Sequence, residues 1–123
     1  MTSIAAVFFG GGLGACLRWG IVRLCSMTGL ESPWAILLVN LIGAFTIGFL
    51  LGLSLKELSE QVRLFLFVGL LGGFTTFSTF SADLVTLAER DWGLSLLYLT
   101  ASVAGGVLIL MLGLRLGSIF NHA

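Results

Sequence analysis

The sequence predicts an all-α membrane protein with four transmembrane helices, and three observations carry that prediction. Of 123 residues, 58% are hydrophobic and 10% are charged. A soluble domain averages about 25% charged residues, so a chain this apolar cannot cover itself with polar surface and needs lipid as its solvent. The apolar residues fall into four stretches, about 3–24, 33–55, 62–88 and 94–118, each near the roughly 20 residues a helix needs to cross a bilayer. The charges collect between them: Glu31; then Lys56, Glu57, Glu60 and Arg63; then Glu89, Arg90 and Asp91. The whole length, 1–123, reads as a single transmembrane domain.

The first stretch lacks the basic leader of a signal peptide, its first positive charge being Arg18, and is expected to stay as a membrane helix. Cys16 and Cys25 lie nine positions apart. On one helix that is about 13 Å of rise, beyond the roughly 4.4–6.8 Å between the Cα atoms of a disulfide, so both read as packing residues. The second stretch opens with Pro33, harmless in a first helical turn, and carries the amide Asn40 inside the apolar run "AILLVNLIGAF". An amide there either bonds a neighbouring helix or donates N–H to a passing solute. The fourth stretch places Ser95, Tyr98 and Ser102, then Gly105 and Gly106, at helical spacing, a polar stripe that could line a pathway or satisfy itself internally. Trp19, Trp34 and Trp92 sit near stretch ends, where indoles suit the interface.

Glycine repeats Gly10/Gly14, Gly48/Gly52 and Gly113/Gly117, each four apart, predict close helix packing. With four spans, Lys56, Arg63 and Arg115 fall on one side and Arg18, Arg23 and Arg90 on the other. The positive-inside rule therefore chooses no orientation. Net charge is zero, with no basic stripe for nucleic acid. The single histidine, His122, stands near the C-terminus, so no Ser–His pair or metal cluster can form and no enzyme is expected. "GGGLGA" at 10–15 mimics a dinucleotide fingerprint but lacks the βαβ unit that gives it meaning.

The third stretch holds "LLGGFTTFSTFSAD", residues 70–83. Gly72 and Gly73 can adopt angles other residues resist, which predicts that this helix breaks in mid-membrane. Irregular backbone at that depth survives only within protein or beside water, and its carbonyls can ligate a cation while its N–H groups face an anion. Thr76, Thr79 and Asp83 share one face beyond the break, and Phe77 and Phe80 another. Aromatic rings carry positive edges, to which an anion can be held.

"GGFTTFSTFSAD" resembles the signature of the Fluc (CrcB) family of bacterial fluoride channels, usually GGxTTFSTFSAE. "GGGLGACLRW", "PWAILLVNLIGAF" and "YLTASVAGG" extend the likeness along the chain. The resemblance implies an antiparallel, dual-topology homodimer with two fluoride pores in the bacterial plasma (inner) membrane, lowering cytoplasmic fluoride. It also implies that carbonyls of Gly72 and Thr75 from both copies hold a central structural Na⁺. Phe77 and Phe80 would present ring edges to fluoride, Asn40 would donate a hydrogen bond, and Ser78, Thr79 and Ser102 would continue a polar track. Arg18 would stand near a vestibule. Asp83 replaces the family's usual Glu, and Ala35, Ile36 and Gly106 also depart from common residues. Two other classes fit the residues less well. A small dual-topology proton-coupled multidrug exporter would need an intramembrane acid, for which Asp83 is the only candidate. A non-transporting assembly subunit leaves the hydroxyl–Phe pattern without a purpose.

Overall fold

The computed structural model describes residues 2–55 and 58–122, without the His122 side chain. Lys56 and Glu57, counted above among the loop charges, lie outside the described residues, as does the His122 imidazole. Every regular element among the described residues is helical.

Helix α1 (Ser3–Met27) starts where the Thr2 hydroxyl accepts the Ala5 N–H at 3.3 Å. It stops at Gly29, whose φ of +83° lets the Thr28 and Leu30 amides fold back onto the Cys25 carbonyl at 3.0 and 3.1 Å. Helix α2 (Ser32–Gly52) carries Pro33 in its first turn. The third hydrophobic stretch is composite. Helix α3 (Glu60–Arg63) continues as a π-helical segment, Leu64–Leu71, into α4 (Gly72–Phe74). Thr75 (φ −79°, ψ 158°) and Thr76 (φ −149°, ψ 124°) are extended, and α5 (Phe77–Arg90) follows. Helix α6 (Trp92–His122) completes the chain, its first amides (Gly93, Leu94) accepted by the Asp91 carboxylate at 2.6 and 3.1 Å.

Four helical stretches, Ser3–Met27, Ser32–Gly52, Glu60–Arg90 and Trp92–Asn121, are long and apolar enough to cross a membrane. Even the 21 residues of α2 rise about 31 Å, the thickness of a bilayer's hydrocarbon.

Of the range Gly72–Thr75, where the sequence reading expects the break, only Thr75 is extended. Gly72 keeps helical angles (φ −65°, ψ −36°) and Gly73 lies within α4; the non-helical residues are Thr75 and Thr76. The physical cause is competition for amide hydrogens at Thr76 and Thr79, described below, which does not call on the backbone freedom of Gly72 or Gly73. Gly73 serves packing instead, because a Cβ there would lie 3.0 Å from the Gly11 Cα.

The bundle is two parallel helix pairs closed through glycine. Gly48 and Gly52 of α2 meet the backbone of Leu110, Leu114 and Ser118, while Gly113 and Gly117 of α6 meet Phe45, Phe49 and Gly52 in return. These two repeats therefore bind each other, and α2 makes its most extensive packing with α6. Gly10 and Gly14 of α1 seat against Phe65, Gly69, Leu70 and Phe74 of the 60–74 segment. Without Cβ atoms the backbones approach closely, which is how helices associate where lipid removes the hydrophobic drive between them.

A small core of Ile36, Phe80, Leu87 and Tyr98 joins α2, α5 and α6, edged by Val22 of α1 and by Trp34. The Ser95 hydroxyl donates to the Leu84 carbonyl at 2.9 Å, fastening α6 to α5. Outward faces carry large apolar side chains such as Phe8, Trp19, Val107 and Leu108, as a lipid-solvated bundle requires. Cys16 and Cys25 are free.

Candidate functional site

The extended Thr75–Thr76 pair lies against α2, and the Asn40 amide holds it there from both sides. The Thr76 N–H donates to Asn40 Oδ1 at 2.9 Å, and Asn40 Nδ2 donates to the Thr76 carbonyl at 3.1 Å. Close approach depends on Gly43, since a Cβ there would collide with the Thr75 methyl. Thr76 then caps α5: its hydroxyl accepts the Thr79 N–H at 3.3 Å and donates to the Thr79 hydroxyl at 3.2 Å, with Ser78 Oγ also 3.3 Å away. The Thr75 hydroxyl turns back to the Leu71 carbonyl at 2.9 Å.

These bonds divert two amides from their helical acceptors. In an unbroken α-helix the Thr76 N–H would close on the Gly72 carbonyl and the Thr79 N–H on that of Thr75. Here they go to Asn40 and to the Thr76 hydroxyl, leaving both carbonyls without those donors.

Beside this segment opens a cleft of about 320 Å³ between α2, α5 and α6, lined by Asn40, Ala44, Thr75, Thr76, Phe77, Phe80 and Ser102 among others. Asn40 has a second N–H beyond the one given to Thr76. Ser102 Oγ is buried with no hydrogen-bond partner among the described residues, as are Tyr98 OH and one carboxylate oxygen of Asp83. Asp83 faces Tyr98 without a hydrogen bond of good geometry between them. A buried unpaired polar atom costs about 1–3 kcal/mol, so the Ser102 hydroxyl is an expensive feature of the fold.

The structure thus gathers Asn40, Thr75, Phe77, Phe80 and Ser102 at one cleft. Ser78 and Thr79 join it only through Thr76, on the first turn of α5. Phe77 and Phe80 lie with ring centroids 5.6 Å apart, and Phe80 also packs on Tyr98 at 5.4 Å. Gly72 is exposed, with almost nothing of its own chain against it. Arg18 does not line the cleft; it is half-buried on α1 and makes no ion pair among the described residues. Sequence reasoning missed the central part of Thr76, which clamps, caps and lines at once. A Ser or Thr directly before a helical run is the N-cap signal that could have found it. Among the described residues no three His, Cys, Asp or Glu gather as a metal site. The hard oxygens near the extended pair are backbone carbonyls, the Asn40 amide oxygen and the Thr75, Thr76, Ser78 and Thr79 hydroxyls.

The family model described as CrcB-like protein, Camphor Resistance (CrcB), matches residues 5–114. A protein of Agrobacterium fabrum named fluoride-specific ion channel FluC is 45% identical over 122 residues, covering 95% of this chain and 97% of its own length. One of the same name from Thermus thermophilus is 46% identical over 114 residues, covering 90% and 91%. Another, from Dichelobacter nodosus, is 42% identical over 115 residues, covering 92% and 94%.

Proposed function

This chain belongs to the CrcB-like family, and from that premise we propose that it is a fluoride-selective ion channel, a multi-pass membrane protein through which F⁻ passes passively. The observation that carries the reading is the cleft, whose free polar groups include donors with nothing yet to donate to: the second N–H of Asn40 and the Ser102 hydroxyl. Fluoride is small and strongly hydrated, so a selective path must replace its water with closely spaced donors and exclude larger halides by fit. The positive edges of Phe77 and Phe80 complete that environment. No coupling machinery is required. A negative-inside plasma membrane would drive fluoride out and lower its cytoplasmic level.

We take the extended Thr75–Thr76 pair as a mid-membrane break at the centre of an antiparallel, dual-topology homodimer with two pores. Three observations support this assembly. The basic residues divide three against three between the sides. Phe77 points away from its own chain, 78% exposed. The Gly72 and Thr75 carbonyls that lose their helical donors supply two oxygens per chain, which a second copy would double to four. Those carbonyls fit Na⁺ by donor chemistry, and with the same pair from a second copy they would hold it at the interface. Bound there, Na⁺ would supply positive charge against the carbonyl dipoles. Arg18 would serve a vestibule, and Ser78, Thr79 and Ser102 the polar track.

Reconstituted liposomes test the reading. Fluoride efflux far faster than chloride efflux is expected; equal rates would remove selectivity, and no flux of either ion would remove the channel. A proton-coupled exporter, which would use the part-buried Asp83 carboxylate, would instead show cation efflux that disappears in Asp83→Asn.

A further inference from the structure

We propose that Asn40 is the positioning residue for the Gly72 and Thr75 carbonyls, so that one amide couples the anion cleft to the cation site. The inference rests on reading those carbonyls as Na⁺ ligands and goes beyond it, because Asn40 touches neither.

Three hydrogen bonds make the case. The Gly72 carbonyl is free because the Thr76 N–H donates to Asn40 Oδ1 at 2.9 Å. Asn40 can keep that oxygen in place because its Nδ2 is anchored on the Thr76 carbonyl at 3.1 Å. The two bonds demand opposite polarity, which fixes which end of the amide faces which group. Thr76 in turn spends its hydroxyl on the Thr79 N–H, which frees the Thr75 carbonyl. Thr76 is buried, and Asn40 Oδ1 is the acceptor its N–H meets. If the side-chain acceptor is removed, the cheapest partner for the Thr76 N–H is the Gly72 carbonyl one turn back, and the cation site loses an oxygen. Because Asn40 also lines the cleft, a displacement of its amide is felt at both places. No other side chain among the described residues bonds both the N–H and the carbonyl of Thr76.

The test is a Na⁺ titration, in N-methylglucamine and without fluoride, of the unfolding temperature of the purified full chain in detergent, since a ligand that binds only the folded state raises it. The wild type should show a saturable Na⁺-dependent rise. Asn40→Leu removes donor and acceptor, and Asn40→Ser keeps a polar but shorter group that cannot reach Thr76. Each should move the Na⁺ midpoint upward about tenfold, the scale of one net hydrogen bond. Asn40→Asp keeps an acceptor oxygen and, when protonated, a donor for the Thr76 carbonyl, and should then hold the midpoint within about threefold. Asn40→Ser carries the test if the leucine variant does not fold. A midpoint unchanged in Asn40→Leu or Asn40→Ser overturns the coupling alone, and one lost equally in Asn40→Asp overturns the assignment to the acceptor oxygen. A wild type indifferent to Na⁺ removes the cation reading and this inference with it, while fluoride efflux from liposomes still judges the channel separately.

Discussion

Phe77 and Phe80 are neighbours, ring centroids 5.6 Å apart at 45°, yet Phe77 is 78% exposed and Phe80 only 7%. Two residues proposed for one task therefore carry different structural duties. Phe80 belongs to the core with Ile36, Leu87 and Tyr98, and Phe80→Ala should lower stability by about 3 kcal/mol or more. Phe77→Ala empties almost nothing within the chain and should stay within about 1 kcal/mol. The Phe→Ile variants at both positions should slow fluoride efflux. Thermal unfolding in detergent beside the efflux assay checks both halves; unaltered flux in the two isoleucine variants would end the ring-edge role.

Gly12 and Gly14 give a second contrast on one helix. A Cβ at Gly14 would lie 2.7 Å from the Phe74 amide nitrogen and closer still to the Leu70 carbonyl, whereas at Gly12 it meets nothing within 4 Å. Backbone cannot step aside as a flexible side chain can, so Gly14→Ala should destabilise by about 1–3 kcal/mol. Gly12→Ala should be neutral or slightly stabilising by its better helix propensity, up to about 1 kcal/mol. Unfolding midpoints and yields of the two variants, compared side by side, decide it.

These contrasts mark where sequence reasoning ends. Four membrane-length helices were legible because hydropathy and charge placement are properties of whole segments. The glycine repeats were legible as packing surfaces, but their partners were not, since nothing in Gly48 or Gly113 names the other. The π-helical Leu64–Leu71 was invisible: "LFLFVGLL" is apolar throughout, with no pattern to separate one helical hydrogen-bond register from the next. Asn40 was recognised as an unusual amide, but its partner lies 36 positions away and is backbone, which a sequence does not display. Gly72 and Gly73 misdirected the placement of the extended residues because glycine's freedom is permission, not cause; the cause was the contest for the Thr76 and Thr79 amides.

Glu31 and Arg90 form an ion pair at 3.0 Å, joining the α1–α2 turn to the end of α5, with side chains 55% and 60% exposed. Exposure to water and salt limits such a pair to about 0–1 kcal/mol. Glu31→Gln should therefore shift the unfolding midpoint little, and fluoride flux should not change. A loss approaching that of Phe80→Ala would mean that this end of the bundle is far less wet than its exposure indicates.

Ser102 offers the sharpest separation of stability from transport. Its hydroxyl is buried at the cleft and bonds nothing among the described residues, so it costs the fold desolvation without return. Ser102→Ala removes that cost along with one small atom, and should raise stability by up to about 1 kcal/mol or leave it unchanged. Flux should move the other way, because a donor is taken from the proposed path while its shape is nearly kept. Ser95 is the control: on the same helix and also buried, its hydroxyl is fully engaged with the Leu84 carbonyl at 2.9 Å. Ser95→Ala should cost about 1 kcal/mol of stability and spare the ion selectivity. Paired unfolding and efflux measurements on the two alanine variants would then show opposite signs. If Ser102→Ala instead destabilises and leaves fluoride flux untouched, its hydroxyl has a structural partner and no part in conduction.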